Sequence, residues 1–458
     1  MKRLRWSSAV LSVALLVGIG LPASAGHIND PRTDNINPLG HIEEPRSLIN
    51  PAIGNINVHT DIAFWRNRAF QGSWRGFNIR NIASSRNPST VSSTSCEGPQ
   101  GDLVVWRNIL VRTWDAPAGN PGPFGSGLTC DGVPVPVGWE GIHIFDVRNL
   151  EDPELVAAVQ LPCGSHTASG VPDLENNRLL IYSSPSAHSA TNPNPPATCD
   201  WFDIVEIPLD DPGNPTYVRA AQSMHTCHDV GVILGDVMRA ACAGGEGVRV
   251  FSLGGPSGGS LDDPALLFSV DEPGVTIGHS AAWTWDGEVI VFGHEPAGGV
   301  QARCKASDSA TDKSYFFYDG DTGAKLGQWT LPRPQTGSEN CTLHNLNVVP
   351  LSSGRYVLVH GSYQSGTSVV DFTDPANAVE VGWSDPPPLP VPAGTPFCLV
   401  DGTGCDVGGA WSSYWYNGLI YETNITEGLN IFRFTGDETA GALRLDHLNP
   451  QTQEFSLP

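Results

Sequence analysis

Short apolar runs recur along the chain, each closed by Gly, Asn or Asp, and runs with helical spacing are nearly missing. Leu103-Val-Val-Trp106, Ile109-Leu-Val-Arg-Thr113, Leu179-Leu-Ile-Tyr182, Val230-Gly-Val-Ile-Leu234, Val289-Ile-Val-Phe292, Tyr356-Val-Leu-Val359 and Leu419-Ile-Tyr421 are β-branched or aromatic stretches of strand length. Several pair naturally as hairpins. Asp286-Gly287 fits a tight turn between Ala281–Trp285 and Glu288–Phe292, and Asn417-Gly418 does the same between Trp411–Tyr416 and Leu419–Thr423.

A longer phrase organises these runs. Gly141-Ile-His-Ile-Phe-Asp-Val147 followed by Asp152-Pro-Glu-Leu-Val156 is its clearest copy. Weaker copies begin at Gly76, Gly247, Gly366 and Gly428. In the Asp-Pro turn, Pro presets its own φ and Asp accepts backbone hydrogen bonds. Each unit reads as strand, tight turn, strand, longer loop, glycine-led strand, turn and outer strand, returning every about 45–70 residues. Four antiparallel strands per unit predict an all-β fold, a β-propeller of seven four-stranded blades. The blades start near Val58, Asp102, His166, His225, Gly278, Thr342 and Gly408. Units three and five depart from the phrase: one reads Cys199-Asp-Trp-Phe-Asp-Ile-Val-Glu-Ile207, the other Tyr315-Phe-Phe-Tyr-Asp-Gly-Asp-Thr-Gly323. Either Asn37–Asn55 or the tail Leu443–Phe455 is expected to supply the strand that closes the ring. The phrase resembles the LVIVD-repeat family of secreted bacterial proteins, above all over Gly141 to Val156. The resemblance spans about Val58 to Phe434 and implies a propeller that is exported or cell-surface, with no particular activity.

The two ends of the chain set the compartment. Lys2, Arg3 and Arg5, the apolar run Ala9–Leu21 and Ala23-Ser-Ala25 have the form of an export signal over residues 1–25. Residues 26–57 read as an N-terminal extension, and 58–458 as a single propeller domain with a C-terminal tail. A formal charge of −23 argues against nucleic acid and against anionic membrane surfaces, and nothing after residue 25 suggests membrane insertion. Ten cysteines without CxxC spacing predict disulfides in an oxidising compartment. Their places in the repeat suggest Cys96–Cys130, Cys163–Cys199, Cys227–Cys242, Cys304–Cys341 and Cys398–Cys405.

Histidine placement supplies the candidate chemistry. His59, His166, His225, His228, His279 and His344 fall at or near the start of predicted inner strands, whereas His294 and His360 fall where second strands end. Both positions lie on one face of a four-stranded blade, so these rings are candidates to gather round one end of the central channel. Imidazoles from several blades suit a divalent transition metal (Zn, Cu or Fe), with His59, His166, His228, His279, His294 and His344 as candidate ligands. Asp61, Asp229 or Glu295 would add a carboxylate. The competing reading is that these histidines bond to backbone and tie neighbouring blades together. His143 and His188 read as surface or loop residues. Trp411, Tyr414, Trp415, Glu295 and His360 form the candidate ligand-binding set, against core packing as the alternative for the aromatics.

Other chemistry is thin. No Gly-x-Ser-x-Gly stands between a strand and a helix. Asp319-Gly-Asp-Thr-Gly323 lacks the full calcium-loop spacing and reads as a hairpin turn. The insertions Asp115–Val137 and Ser184–Thr198 are expected to form a rim over the histidine face. The leading expectation is a propeller that binds a small-molecule, peptide or cell-surface ligand, or a protein partner, at its loop-rich face. A metal-dependent hydrolase or oxidoreductase is the alternative, and a structural module of the cell envelope a third.

Overall fold

The short apolar runs of the inner strands bury both faces, which a stack of sheets can cover and a lone sheet cannot. The computed structural model describes residues 26–44, 48–50, 55–115, 118, 127–185, 199–389 and 407–458, and over them seven antiparallel sheets follow one another. Blade 1 is His59–Trp65, Arg68–Ser73, Gly76–Asn81 and Ser89–Ser95; blade 2 is Leu103–Trp106, Ile109–Trp114, Gly141–Asp146 and Glu154–Gln160. Blade 3 is Ala168–Asp173, Arg178–Ser183, Trp201–Pro208 and Thr216–Gln222; blade 4 is Asp229–Ile233, Arg239–Gly244, Gly247–Ser252 and Ala265–Asp271. Blade 5 is Gly278–Trp283, Val289–His294, Ser314–Asp319 and Lys325–Thr330; blade 6 is Leu346–Val348, Val357–Gly361, Thr367–Asp371 and Val379–Ser384. Blade 7 has Ala410–Tyr416, Leu419–Asn424 and Gly428–Phe434, and takes its outer strand, Ile36–Glu43, from the other end of the chain. Each inner strand packs against the next, and that of blade 7 against that of blade 1, so the ring is closed. The protein is a seven-bladed β-propeller.

The repeated glycine has a steric cause. A Cβ on Gly141 would lie 2.1 Å from the carbonyl oxygen of Val159, on the outer strand beside it. On Gly428 it would lie 2.3 Å from that of Ile42, so the N-terminal strand takes the place an outer strand takes elsewhere. In blades 1 to 6, pairing with the outer strand also slips by one residue partway along, as between Ile144 and Phe145. Such a bulge adds twist where the blade is widest.

The core lies between blades. Ile233, Ala241 and Val250 of blade 4 pack on Trp283, Ile290 and Phe316 of blade 5. Trp283 and Trp285 also bridge blades with their indole N–H groups, donating to Gly231 O at 3.0 Å and Val348 O at 2.8 Å. The Asn417-Gly418 turn has both residues at positive φ and joins Tyr416 directly to Leu419. The Asp286-Gly287 hairpin is looser than expected: Thr284 carries the turn, donating its N–H to Val289 O and its hydroxyl to Asp286. Asp319 accepts from the amides of Asp321 and Thr322 and from the Thr322 hydroxyl, which makes 319–323 the expected hairpin turn.

The tail crosses the end of the channel where inner strands finish. Leu448 pairs with Phe64, Asn449 exchanges two hydrogen bonds with the backbone of Val105, and Thr452–Gln453 runs parallel to Val232–Ile233. Gln451 reaches inward to Asp61 at 2.8 Å. The tail is therefore a floor for the channel. Four disulfides join the pairs expected: Cys96–Cys130, Cys163–Cys199, Cys227–Cys242 and Cys304–Cys341. They fit an oxidising, extracellular setting. Cys398, Cys405, His188 and residues 1–25 lie outside the described residues, as do 116–117, 119–126 and most of Ser184–Thr198. Among the described residues, no helix is long and apolar enough to cross a membrane.

Candidate functional site

Every blade sends residues from the start of its inner strand to a cup of about 330 Å³ at the end of the channel opposite the tail. Strand register decides which ones. In blade 5, Gly278 pairs with His294 and the pairing then slips to Ala281, turning His279 into the cup. Blade 1 repeats this slip between His59 and Ile62, which gives Thr60 the place of His279 and turns His59 away. Blade 7 repeats it between Ala410 and Ser412, and there the same place holds Trp411.

The structure brings four of the expected metal ligands together. His166, His228, His279 and His344, from blades 3 to 6, form a crescent with successive ring centroids 4.2, 4.2 and 4.3 Å apart. Glu295 sits inside the curve: its carboxylate lies 4.0 Å from His228 Nε2, 3.6 Å from His279 Nε2 and 3.4 Å from His344 Nε2. The Tyr363 hydroxyl donates to the same carboxylate at 2.7 Å. Outside the crescent, His166 Nδ1 bonds Asp115 Oδ2 at 2.8 Å and His344 Nδ1 bonds the Trp411 carbonyl at 2.5 Å. A partner on Nδ1 fixes the ring and leaves Nε2 for a ligand, the arrangement that orients histidines around metals. His279 Nδ1 is buried with no hydrogen-bond partner.

Peptide carbonyls of these histidines also tie neighbouring blades together. The His166 carbonyl accepts from the Thr113 hydroxyl, that of His228 from Thr167, and that of His344 from Ser280 and Tyr315. Two rings make ties of their own: His344 to the Trp411 carbonyl of blade 7, as the scaffold reading expected, and His166 to Asp115 beside blade 2, while Nε2 of His344 still faces Glu295.

The other expected positions fall elsewhere. His59 donates to the Glu44 carbonyl at 2.8 Å, on the face turned from the cup. His294 is bonded through both nitrogens, to Thr276 and to Thr311 O. His360 bonds the Ser362 hydroxyl and lies edge-on to Tyr315 and Trp329. None of these three lines the cup, because alternation on a strand sends neighbouring side chains to opposite faces. Of the aromatics, Trp411 lines the cup, Trp415 is buried between blades 6 and 7, and Tyr414 is buried below the cup against Phe64, Tyr416 and their neighbours. His143, expected on the surface, is buried beside Trp139 at 4.3 Å between ring centroids.

Sequence reasoning missed Trp74, Tyr363 and Asp102 as cup residues, and Asp115 as a partner of His166. No local signal marks them: Trp74 and Tyr363 sit in turns between second and third strands, and only ring closure sets them beside Trp411. Together with Val58 and Val407 they make the half of the cup facing the crescent largely apolar.

Burial controls the charges here. It pushes His279 well below the ordinary imidazole range, helped by His228 and His344, and lowers His344 to about 3 despite its bond to the Trp411 carbonyl. Burial raises Glu295 to about 7, against the pull of the Tyr363 hydroxyl and of His166. Below the crescent, Asp102 is raised well above the carboxylate range by burial and by the charge and shared hydrogen bond of Asp61. Asp229 rises to about 7 through burial and the same neighbour. Burial thus keeps His279 and His344 neutral beside a carboxylate, a donor set that suits a borderline metal.

Fold and geometry together define a propeller with a blind cup, lined by histidine on one side and by aromatic and aliphatic side chains on the other. No protein-family model matches the chain, and no curated protein matches it. Among solved structures, it is similar to the β-propeller domain of Myceliophteria thermophila Cps50 (Swd1), at 10% identity over 85% of this chain and 100% of that one, with a TM-score of 0.47. A chain from a mitotic checkpoint complex is similar at 12% identity, over 95% of this chain and 99% of that one, with a TM-score of 0.46.

Proposed function

We propose that this protein is an exported propeller that binds a divalent transition metal in the histidine crescent and a small molecule beside it, and so acts as a metal-dependent hydrolase or oxidoreductase. One observation carries the reading. Ligand atoms of His228, His279 and Glu295 lie within 4.8 Å of one another. Three atoms that far apart sit at most about 2.8 Å from a common centre, so each moves in by roughly 0.7 Å to reach the 2.0–2.1 Å of a zinc–imidazole bond. Side-chain rotation covers such a distance without moving the blades. His344 and His166 flank the trio, and on this reading they complete the coordination.

A bound ion of this kind polarises a substrate or activates water or oxygen. The chain's own residues would orient the donors (Asp115, the Trp411 carbonyl), hold Glu295 through Tyr363, and keep bulk water from the floor through the tail. The LVIVD-repeat resemblance and export belong to the same proposal, supported by the repeated phrase, the N-terminal pattern and the four disulfides.

Elemental analysis of the purified protein tests it, after loading with Zn, Cu or Fe and removal of excess by dialysis. About one ion per chain is expected in the wild type, and none in the folded double variant His228→Ala, His279→Ala. A wild-type protein that retains none of the three metals overturns the reading.

A further inference from the structure

The cup is unusually one-sided in charge. Asp61 and Glu295 offer carboxylates to it, with Asp102 as the protonated partner of Asp61, and among the described residues no lysine or arginine lines it. The whole chain reinforces this, since a formal charge of −23 draws cations toward the surface and repels anions. Against the His344 end of the crescent, Trp411 and Tyr363 meet nearly at right angles with ring centroids 6.1 Å apart, and Trp74 joins them in one apolar cluster. Trp74 and Trp411 are both only partly buried, so their rings are offered to the cup rather than spent in the core. Faces of Trp and Tyr attract a cation through the ring quadrupole, most strongly where water is excluded. A neutral apolar ligand would need the aromatic wall but would gain nothing from the carboxylates.

We propose that this half of the cup is a seat for a small organic cation, an alkylated ammonium, held over Trp74, Trp411 and Tyr363 with Asp61 and Glu295 as counter-charges. The proposal rests on the cup being a ligand site, as in the reading above, but it does not require the metal. The channel floor explains the size limit. With Gln451 bonded to Asp61 and the tail across the far end, the cup admits a headgroup and not a chain that threads the channel.

Three probes of one shape separate charge from shape: choline, its neutral carbon isostere dimethylbutanol, and the dimethylbutyrate anion. Calorimetric titration uses the full exported chain, metal-stripped and zinc-loaded, with metal content measured on the same samples. In the metal-stripped chain, choline is expected to bind at least about tenfold more tightly than the neutral isostere, with no detectable binding of the anion. Replacing Trp411 by Phe should weaken choline binding less than replacing it by Leu, while dimethylbutanol responds weakly to both. Folding of each variant is checked by its unfolding curve, and Trp74→Leu provides an independent second site. Equal or tighter binding of the isostere or the anion to the metal-stripped chain overturns the proposal, and so does the absence of binding by all three. Failure of the metal reading shows as missing metal with the cation preference intact. Failure of the present proposal shows as no cation preference in the metal-stripped chain, whether or not the loaded chain retains zinc.

Discussion

Asp115→Asn is the sharpest probe of how the crescent is held. Asp115 lies outside the cup, and its carboxylate accepts from His166 Nδ1 at 2.8 Å with both groups largely buried. Asn keeps the shape and one acceptor oxygen but removes the charge, so the ring stays placed while its Nε2 becomes a poorer donor. A charge-assisted hydrogen bond contributes about 1.5–3 kcal/mol, and 1.4 kcal/mol is a factor of ten. Metal affinity should therefore fall by about 10–100-fold, the usual effect of losing such an outer partner. Competition against a chelator of known affinity measures it, with the unfolding curve as a check that the propeller is intact. His59→Ala and His294→Ala are the controls: both rings are bonded to backbone away from the cup, so affinity should stay within about twofold of wild type. A folded Asp115→Asn variant that binds metal as tightly as wild type would refute the assignment of His166 to the site. Loss of affinity in the His59 variant would refute the register argument that turns it away.

Other expectations follow from the fold. Burial raises Asp203 in blade 3 to about 7 against the pull of Tyr217 and Trp201, and its Oδ2 has no partner. The folded carboxyl keeps its proton where the unfolded one has lost it, so its contribution to stability falls as pH rises from about 4 through 7. The stability gap between Asp203→Asn and wild type should then shift toward the variant by about 2 kcal/mol between about pH 5.5 and 8, and a pH-independent gap in urea unfolding would contradict this. Replacing Cys163 and Cys199 by Ser frees a bridge across 36 residues and should cost about 4 kcal/mol by chain entropy, read as a lower urea midpoint; an unchanged midpoint would count against it. Removing residues 446–458 strips the acceptors of the Val105, Val232 and Leu234 amides, so their hydrogen exchange should rise sharply. Unchanged protection there would mean that the tail is not the floor.

The candidate site was legible in part, and the boundary has a physical form. His166, His228, His279 and His344 were visible because each lies just before or within an inner strand, and a repeat places such residues alike. His59 and His294 looked equivalent but are not. One residue of register reverses a side chain on a strand, and the slips at His59/Ile62 and Gly278/Ala281 leave no mark in composition. Trp415 failed for the same reason beside Trp411. Asp115 was read only as the first residue of a rim loop, although its carboxylate orients His166.

The sequence by itself determined the repeat: the period of the apolar runs, the glycine that an outer strand's carbonyl requires, and the cysteines whose places in the repeat matched their partners. Those are local consequences of backbone sterics and of a unit that cannot bury its faces alone. Only the tertiary structure decided that Ile36–Glu43 rather than the tail closes the ring, and that the tail instead seals one end of the channel. It alone set the imidazoles of four blades around Glu295, with Tyr363 and Trp411 against the His344 end of the crescent and Trp74 next to them. Such contacts join residues from tens to hundreds of positions apart, and they exist only once seven sheets have closed on a common axis.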